Sequence, residues 1–94
     1  MASKWTFLTN HGHVLLCLAR CPDIRLREVA AEVGITERAV QRIVADLHEE
    51  GYVSIQKEGR RNVYRVHRNR QMKHPVEAGH PVSELLELAE EVPP

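Results

Sequence analysis

Along residues 10–66 the apolar positions change period once, from the three or four of a helix to the two of a strand. In TNHGHVLLCLARC, Val14, Leu15 and Leu18 share one helical face and Thr9 or Asn10 is placed to cap the first turn. Leu16 falls on the far side, so this helix is expected to be covered twice. Cys21-Pro22-Asp23 ends it. LREVAAEV then sets Leu26, Val29, Ala30 and Val33 at helical spacing, and Gly34 follows where the chain needs a left-handed residue to turn. A third helix is predicted from Glu37 to about Glu50, capped by Thr36, with Val40, Ile43, Val44 and Leu47 toward the core and Gly51 as its stop.

Beyond Gly51 the pattern alternates. Val53, Ile55 and then Tyr64, Val66 interleave with polar residues, and KEGRRN between them predicts a hairpin loop turning on Gly59, with Arg60, Arg61 and Asn62 at or beside its tip. HRNRQMKHP is basic and irregular. After Pro81, VSELLELAEEV places Val82, Leu85, Leu86, Ala89 and Val92 on one side of a last helix and glutamates on the other. The expected fold class is mainly α with a small β-hairpin, an α+β arrangement, in which residues 1–74 form one domain and 75–94 an acidic C-terminal helical segment.

A chain of 94 residues suits one small domain and buries only ~60–70% of its unfolded surface, so a large ligand cavity within one subunit is not expected. No apolar run approaches the roughly 18 residues of a membrane span, and MASKWTFLTNHGH lacks a signal peptide's apolar core; a cytoplasmic protein with no membrane partner is expected. The net charge of zero hides an asymmetry. All 13 Lys and Arg fall in residues 1–74 beside 8 acids, a net +5, whereas the last 20 residues carry 5 acids and neither Lys nor Arg. Gly51–His74 alone holds 7 bases and one acid. A basic block of this kind favours nucleic acid as a partner.

The run Val29, Ala30, Val33, Gly34, Ile35, Val40, Ile43 is similar to the helix-turn-helix pattern, in which a small residue lets two helices cross closely and glycine turns the chain between them. With the hairpin attached, residues 24–67 resemble the winged helix-turn-helix of the MarR and ArsR families of bacterial transcriptional regulators. One position departs from the pattern: the motif's first helix usually begins on Ser or Thr, and here the corresponding residue is Arg25. The resemblance implies a winged helix-turn-helix plus a C-terminal helix that binds double-stranded DNA sequence-specifically, with helix 36–50 in the major groove and wing 57–62 on the flanking backbone or minor groove. The residues agree on their own chemistry. Opposite the apolar stripe of the third helix lie Arg38, Gln41, Arg42 and Ala45; Arg38 can grip guanine, Gln41 adenine, and Arg42 a base or a phosphate. Thr36 and the exposed amides beside it suit a phosphate, and Arg60 and Arg61, with Asn62 next to them, suit backbone or minor groove. Lys57 and Arg65 are secondary candidates. Glu37, with Glu49 and Glu50, counts against strong nonspecific binding, either by rejecting wrong sites or by lying outside the groove.

Competing readings attach to several of these groups. A solvated polar face is the commonest explanation of an Arg-Gln-Arg set taken alone, and winged helices also serve as protein–protein modules. His13, Cys17 and Cys21 recur at i, i+4, i+8 and could hold zinc or copper, as metal sensing in the ArsR family would imply. Cysteine at the edge of an apolar face more often packs as a small hydrophobe, and that reading is preferred. His74, Glu77 and His80 read as ordinary loop residues. No phosphate loop, nucleophile elbow or paired carboxylate supports an enzyme, no cofactor is expected, and nothing names an effector. The stripe of Val82, Leu85, Leu86 and Ala89 is too short to stand as an isolated helix in water. It looks surplus to the core, as do Trp5, Phe7, Leu8 and Leu16. Matching these across a two-fold axis predicts a homodimer joined at its chain ends, as in the resembling MarR family; the alternative folds the tail back on its own domain.

Overall fold

The first three helices start where a side chain or a neighbouring acid can take up an amide of the first turn or the one before it. The computed structural model describes residues 4–90, and side chains as far as Leu88. In α1 (Asn10–Arg20) the Thr9 hydroxyl accepts from the Gly12 amide at 3.4 Å. In α3 (Glu37–Glu49) the Thr36 hydroxyl accepts from Ala39 at 3.0 Å. Arg25 precedes α2 (Leu26–Val33) as its N-cap, and its guanidinium has no acceptor to offer. Glu28 supplies the missing contact from the other side, its carboxylate accepting from the Arg25 amide at 3.3 Å, which is half of a capping box.

The turn from α2 to α3 depends on Gly34, whose φ of 86° lies in the left-handed region. There the amides of Gly34 and Ile35 both donate to the Ala30 carbonyl, at 2.8 and 3.1 Å, and close the helix. Strands β1 (Val53–Glu58) and β2 (Arg61–Val66) pair antiparallel, with Val53 opposite Val66, Ile55 opposite Tyr64 and Glu58 opposite Arg61. The hairpin is longer than the sequence suggested. Its loop is Gly59-Arg60 alone, with φ of 64° at Gly59 and a negative φ at Arg60, as in a type II′ turn. Arg61 and Asn62 are therefore strand residues, because a two-residue turn lets the ladder extend to Glu58 and Arg61.

One apolar cluster unites every element. Val14, Leu15 and Leu18 of α1 meet Val29 and Ala30 of α2, the Val40, Ile43, Val44, Leu47 stripe of α3, and Val53 and Tyr64 of the hairpin. Helix α4 (Val82–Glu90) packs against α1, and its Val82 and Leu86 are 3% and 1% exposed in the same cluster. The expectation that the C-terminal stripe is surplus to the core is thus corrected for those two residues: the chain folds α4 back and buries them within its own subunit. Leu16 also packs partly buried against the cluster. Leu85 is half-buried, whereas Trp5 and Phe7 are exposed; the side chain of Ala89 lies outside the described residues.

The return to α4 is made by residues 67–81. The Tyr52 hydroxyl donates to the Gln71 carbonyl at 2.6 Å, and the Arg70 guanidinium lies 5.6 Å from the centre of the Tyr52 ring. Met72 donates to the His80 carbonyl and Val82 to that of Arg70, so the segment closes on itself before α4 begins. Among the described residues no helix is long and apolar enough to cross a membrane.

Candidate nucleic-acid interface

With one side of α3 committed to the core, its other side is presented outward. Thr36, Glu37, Arg38, Gln41, Arg42 and Ala45 are all exposed. Among the described residues the side chains of Arg38, Gln41 and Arg42 have no hydrogen-bond or ion-pair partner. Two acids near its far end are occupied: Asp46 pairs with His11 of α1 at 2.8 Å, and Glu50, just past the last turn, pairs with Lys73 at 3.1 Å, while Glu49 stays exposed at the end remote from Arg38. The N-terminal half of α3 therefore offers its donors without a local carboxylate claiming them, apart from Glu37. Helix-start amides add a partial positive charge on that side.

The wing stands beside this half. A cleft of about 320 Å³ separates the starts of α2 and α3 from the hairpin, and Arg25, Arg27, Arg60, Arg61 and Asn62 line it with Asp23 and Glu37. Sequence reading missed Arg25 and Arg27. A signal was available: cations at the N-terminal end of a helix oppose its dipole, so two arginines there are better explained by an external anion than by helix stability. The strand register divides the remaining candidates. Lys57 pairs with Asn62 and lies on the Tyr64 face, while Arg65 pairs with Ser54 on the opposite face, in a second cleft with Leu18 and Pro22. Asn62 and Arg60 are thus brought to the cleft beside the start of α3, Lys57 shares the face of Asn62 without lining that cleft, and Arg65 lies on the other face. Arg61 is held by a contact within the protein, its Nη2 donating to the Asp23 carbonyl at 2.7 Å.

The cysteine and histidine candidates are dispersed. Cys17 is buried, its thiol 4.0 Å from a Glu32 carboxylate oxygen, and burial pushes its pKa up, with Glu32 adding to the effect and Arg20 opposing it. Cys21 is exposed, and the hydrogen bond from its thiol to Asp23 Oδ1 at 3.4 Å holds its pKa up as well. His13 Nδ1 meets Asn10 at 3.4 Å. Both sulfurs are kept as thiols, whereas a metal ligand is a thiolate. Among the described residues no three His, Cys, Asp or Glu side chains come together in a way that could hold a metal ion. His74 and His80 are likewise engaged separately, His74 accepting from the Val76 amide and His80 pairing with Glu84 at 2.7 Å.

A helix-turn-helix whose second helix bares a polar, basic face, followed by a basic two-stranded hairpin, defines a winged helix DNA-binding domain. The chain belongs to the winged helix-turn-helix DNA-binding family, whose model matches residues 8–54, half of the sequence. Two solved structures share the fold. The zinc-dependent MarR family transcriptional regulator AdcR, in its Zn(II)-bound state, superposes with a TM-score of 0.58 at 18% identity over 96% of this chain. The PcaV transcriptional regulator from Streptomyces coelicolor, in complex with its natural ligand, superposes with a TM-score of 0.55 at 20% identity over 94% of this chain. This chain spans 57% and 63% of their lengths. No curated protein sequence matches it.

Proposed function

We propose that this protein is a transcriptional regulator that reads a specific duplex sequence with the outward face of α3 and grips the flanking backbone with its wing. The observation that carries this reading is the unpartnered Arg38, Gln41, Arg42 face on a helix otherwise locked into the core. Arg38 suits the O6 and N7 of guanine, Gln41 the N6 and N7 of adenine, and Arg42 a neighbouring base or phosphate. Thr36 and the first amides of α3 suit a phosphate, which fixes the register of the helix in the groove. Base readout, as distinct from charge alone, is favoured because the chain is neutral overall and carries Glu37 at the edge of the same face.

The same reading places the protein in the cytoplasm as a homodimer. Trp5 and Phe7 pack edge to face with ring centres 5.0 Å apart yet stay 64% and 92% exposed, and Leu88 on the outer side of α4 is 59% exposed. These groups, with Leu8 and Leu85, are the apolar surface that the chain ends offer a second copy once Val82 and Leu86 are buried. Two-fold symmetry would set the recognition helices about 34 Å apart, one DNA turn. Selection from random duplexes tests the proposal: an inverted repeat with half-sites one turn apart is expected, and an unenriched pool would rule out base readout.

A further inference from the structure

The wing carries two adjacent arginines of identical chemistry in different situations. Arg60 is the second residue of the hairpin turn, exposed and, among the described residues, without a partner. Arg61 opens β2 and donates to the Asp23 carbonyl, 38 positions earlier in the chain, at 2.7 Å. Farther along the same strand, the Tyr64 amide donates to the Pro22 carbonyl at 2.8 Å. So β2, paired with β1 along one edge, is tied along its other edge to the connector between α1 and α2. That connector is itself fixed. Ile24 is buried at 7% exposure, its amide donates to the Cys21 carbonyl at 3.0 Å, and the Cys21 thiol meets the Asp23 carboxylate. It leads directly into Arg25 and the start of α2.

A two-stranded hairpin is marginal alone, so its angle to the helices depends on what its outer edge touches. A guanidinium on a backbone carbonyl is a charge-assisted bond and a strong choice for that tie. We propose that Arg61 is a positioning residue: it holds the wing at a set angle to α2 and α3, and it leaves phosphate neutralisation to Arg60 and, across the cleft, to Arg25 and Arg27. The affinity consequence rests on the DNA-binding reading above; the tie itself does not.

The experiment compares Arg60→Ala with Arg61→Ala. A residue that neutralises one phosphate contributes about 0.9 to the slope of log affinity against log salt. Arg60→Ala is expected to flatten that slope by about one unit. Arg61→Ala is expected to keep the wild-type slope while weakening binding about threefold to tenfold at every salt concentration, the worth of one hydrogen bond. In the DNA-free protein the same variant should speed amide exchange at Tyr64, and Arg61→Lys, which keeps a donor, should restore slow exchange. A slope lowered by about one unit in Arg61→Ala, unchanged exchange at Tyr64, or no recovery with lysine each overturns the proposal. Because exchange is measured without DNA, a wild-type protein that bound no duplex would reject the DNA reading and leave the tie to be decided by exchange alone.

Discussion

Replacing Leu86 by alanine should cost about 3 kcal/mol of unfolding free energy, within the usual span for a core leucine. Leu86 is 1% exposed in the cluster that also holds Val14, Leu15 and Leu18. Truncation deletes three carbons, and at about 0.8 kcal/mol per buried methylene the lost transfer free energy is roughly 2.4 kcal/mol. A cavity that relaxes only in part adds to this and brings the total to about 3 kcal/mol. Each kcal/mol lowers Tm by about 4–8 °C in a domain of this size, so a fall of about 12–24 °C is expected. Leu88, two positions on and 59% exposed, is the control, and at dilution, where the two copies are apart, its alanine variant should stay within about 0.5 kcal/mol of wild type. Urea unfolding at several protein concentrations provides the assay. If α4 served only to join two copies, Leu86→Ala would weaken association and leave the dilute monomer as stable as before. A loss under about 1 kcal/mol at dilution would therefore refute the placement of α4 in the subunit's own core.

Arg38→Ala or Gln41→Ala should each cost about 1–3 kcal/mol at one base position and relax preference there; equal losses on all sequences, read by competition binding, would argue against base contact. Thr36→Ala removes the acceptor of the Ala39 amide and should lower stability by about 1 kcal/mol in urea unfolding. Cys17 keeps its proton in the folded state above the pH at which the unfolded thiol loses it, so its stabilising effect is full below about pH 8.5 and is lost as pH rises further. Unfolding measured from pH 7 to 10 should show that decline, and Cys17→Ala should flatten it. Sedimentation should give a dimer at micromolar concentration that Trp5→Ala with Phe7→Ala weakens; a wild-type monomer would count against association.

Periodicity exposed the helices because each carries a stripe that only one face can bury, and Thr36, Gly34 and Gly51 marked ends by chemistry local to a few residues. The outward set on α3 was legible for the same reason: once Val40, Ile43, Val44 and Leu47 are assigned inward, the positions of Arg38, Gln41 and Arg42 follow. Non-local contacts were not legible. The stripe on α4 declares that Val82 and Leu86 must be covered, but not that α1 covers them. Arg60 and Arg61 are neighbours of one type, and only the two-residue turn at Gly59 and the path of the Pro22-Asp23 connector separate their situations. Arg25 and Arg27 carry one local signal, cations set against the dipole at the start of α2, but their approach to the wing exists only in three dimensions.

The burial of α4 against α1 also bears on the birth of the protein on the ribosome. The chain emits α1 early, yet the helix that shields one flank of it begins about sixty residues later, which at ~5–20 residues per second is a delay of roughly 3–12 s. Within that interval α2, α3 and then the hairpin can assemble as they emerge, since their contacts are with one another and with α1. What stays open is the apolar seam awaiting Val82 and Leu86, a surface suited to transient chaperone capture or to mispairing between nascent chains on one polysome.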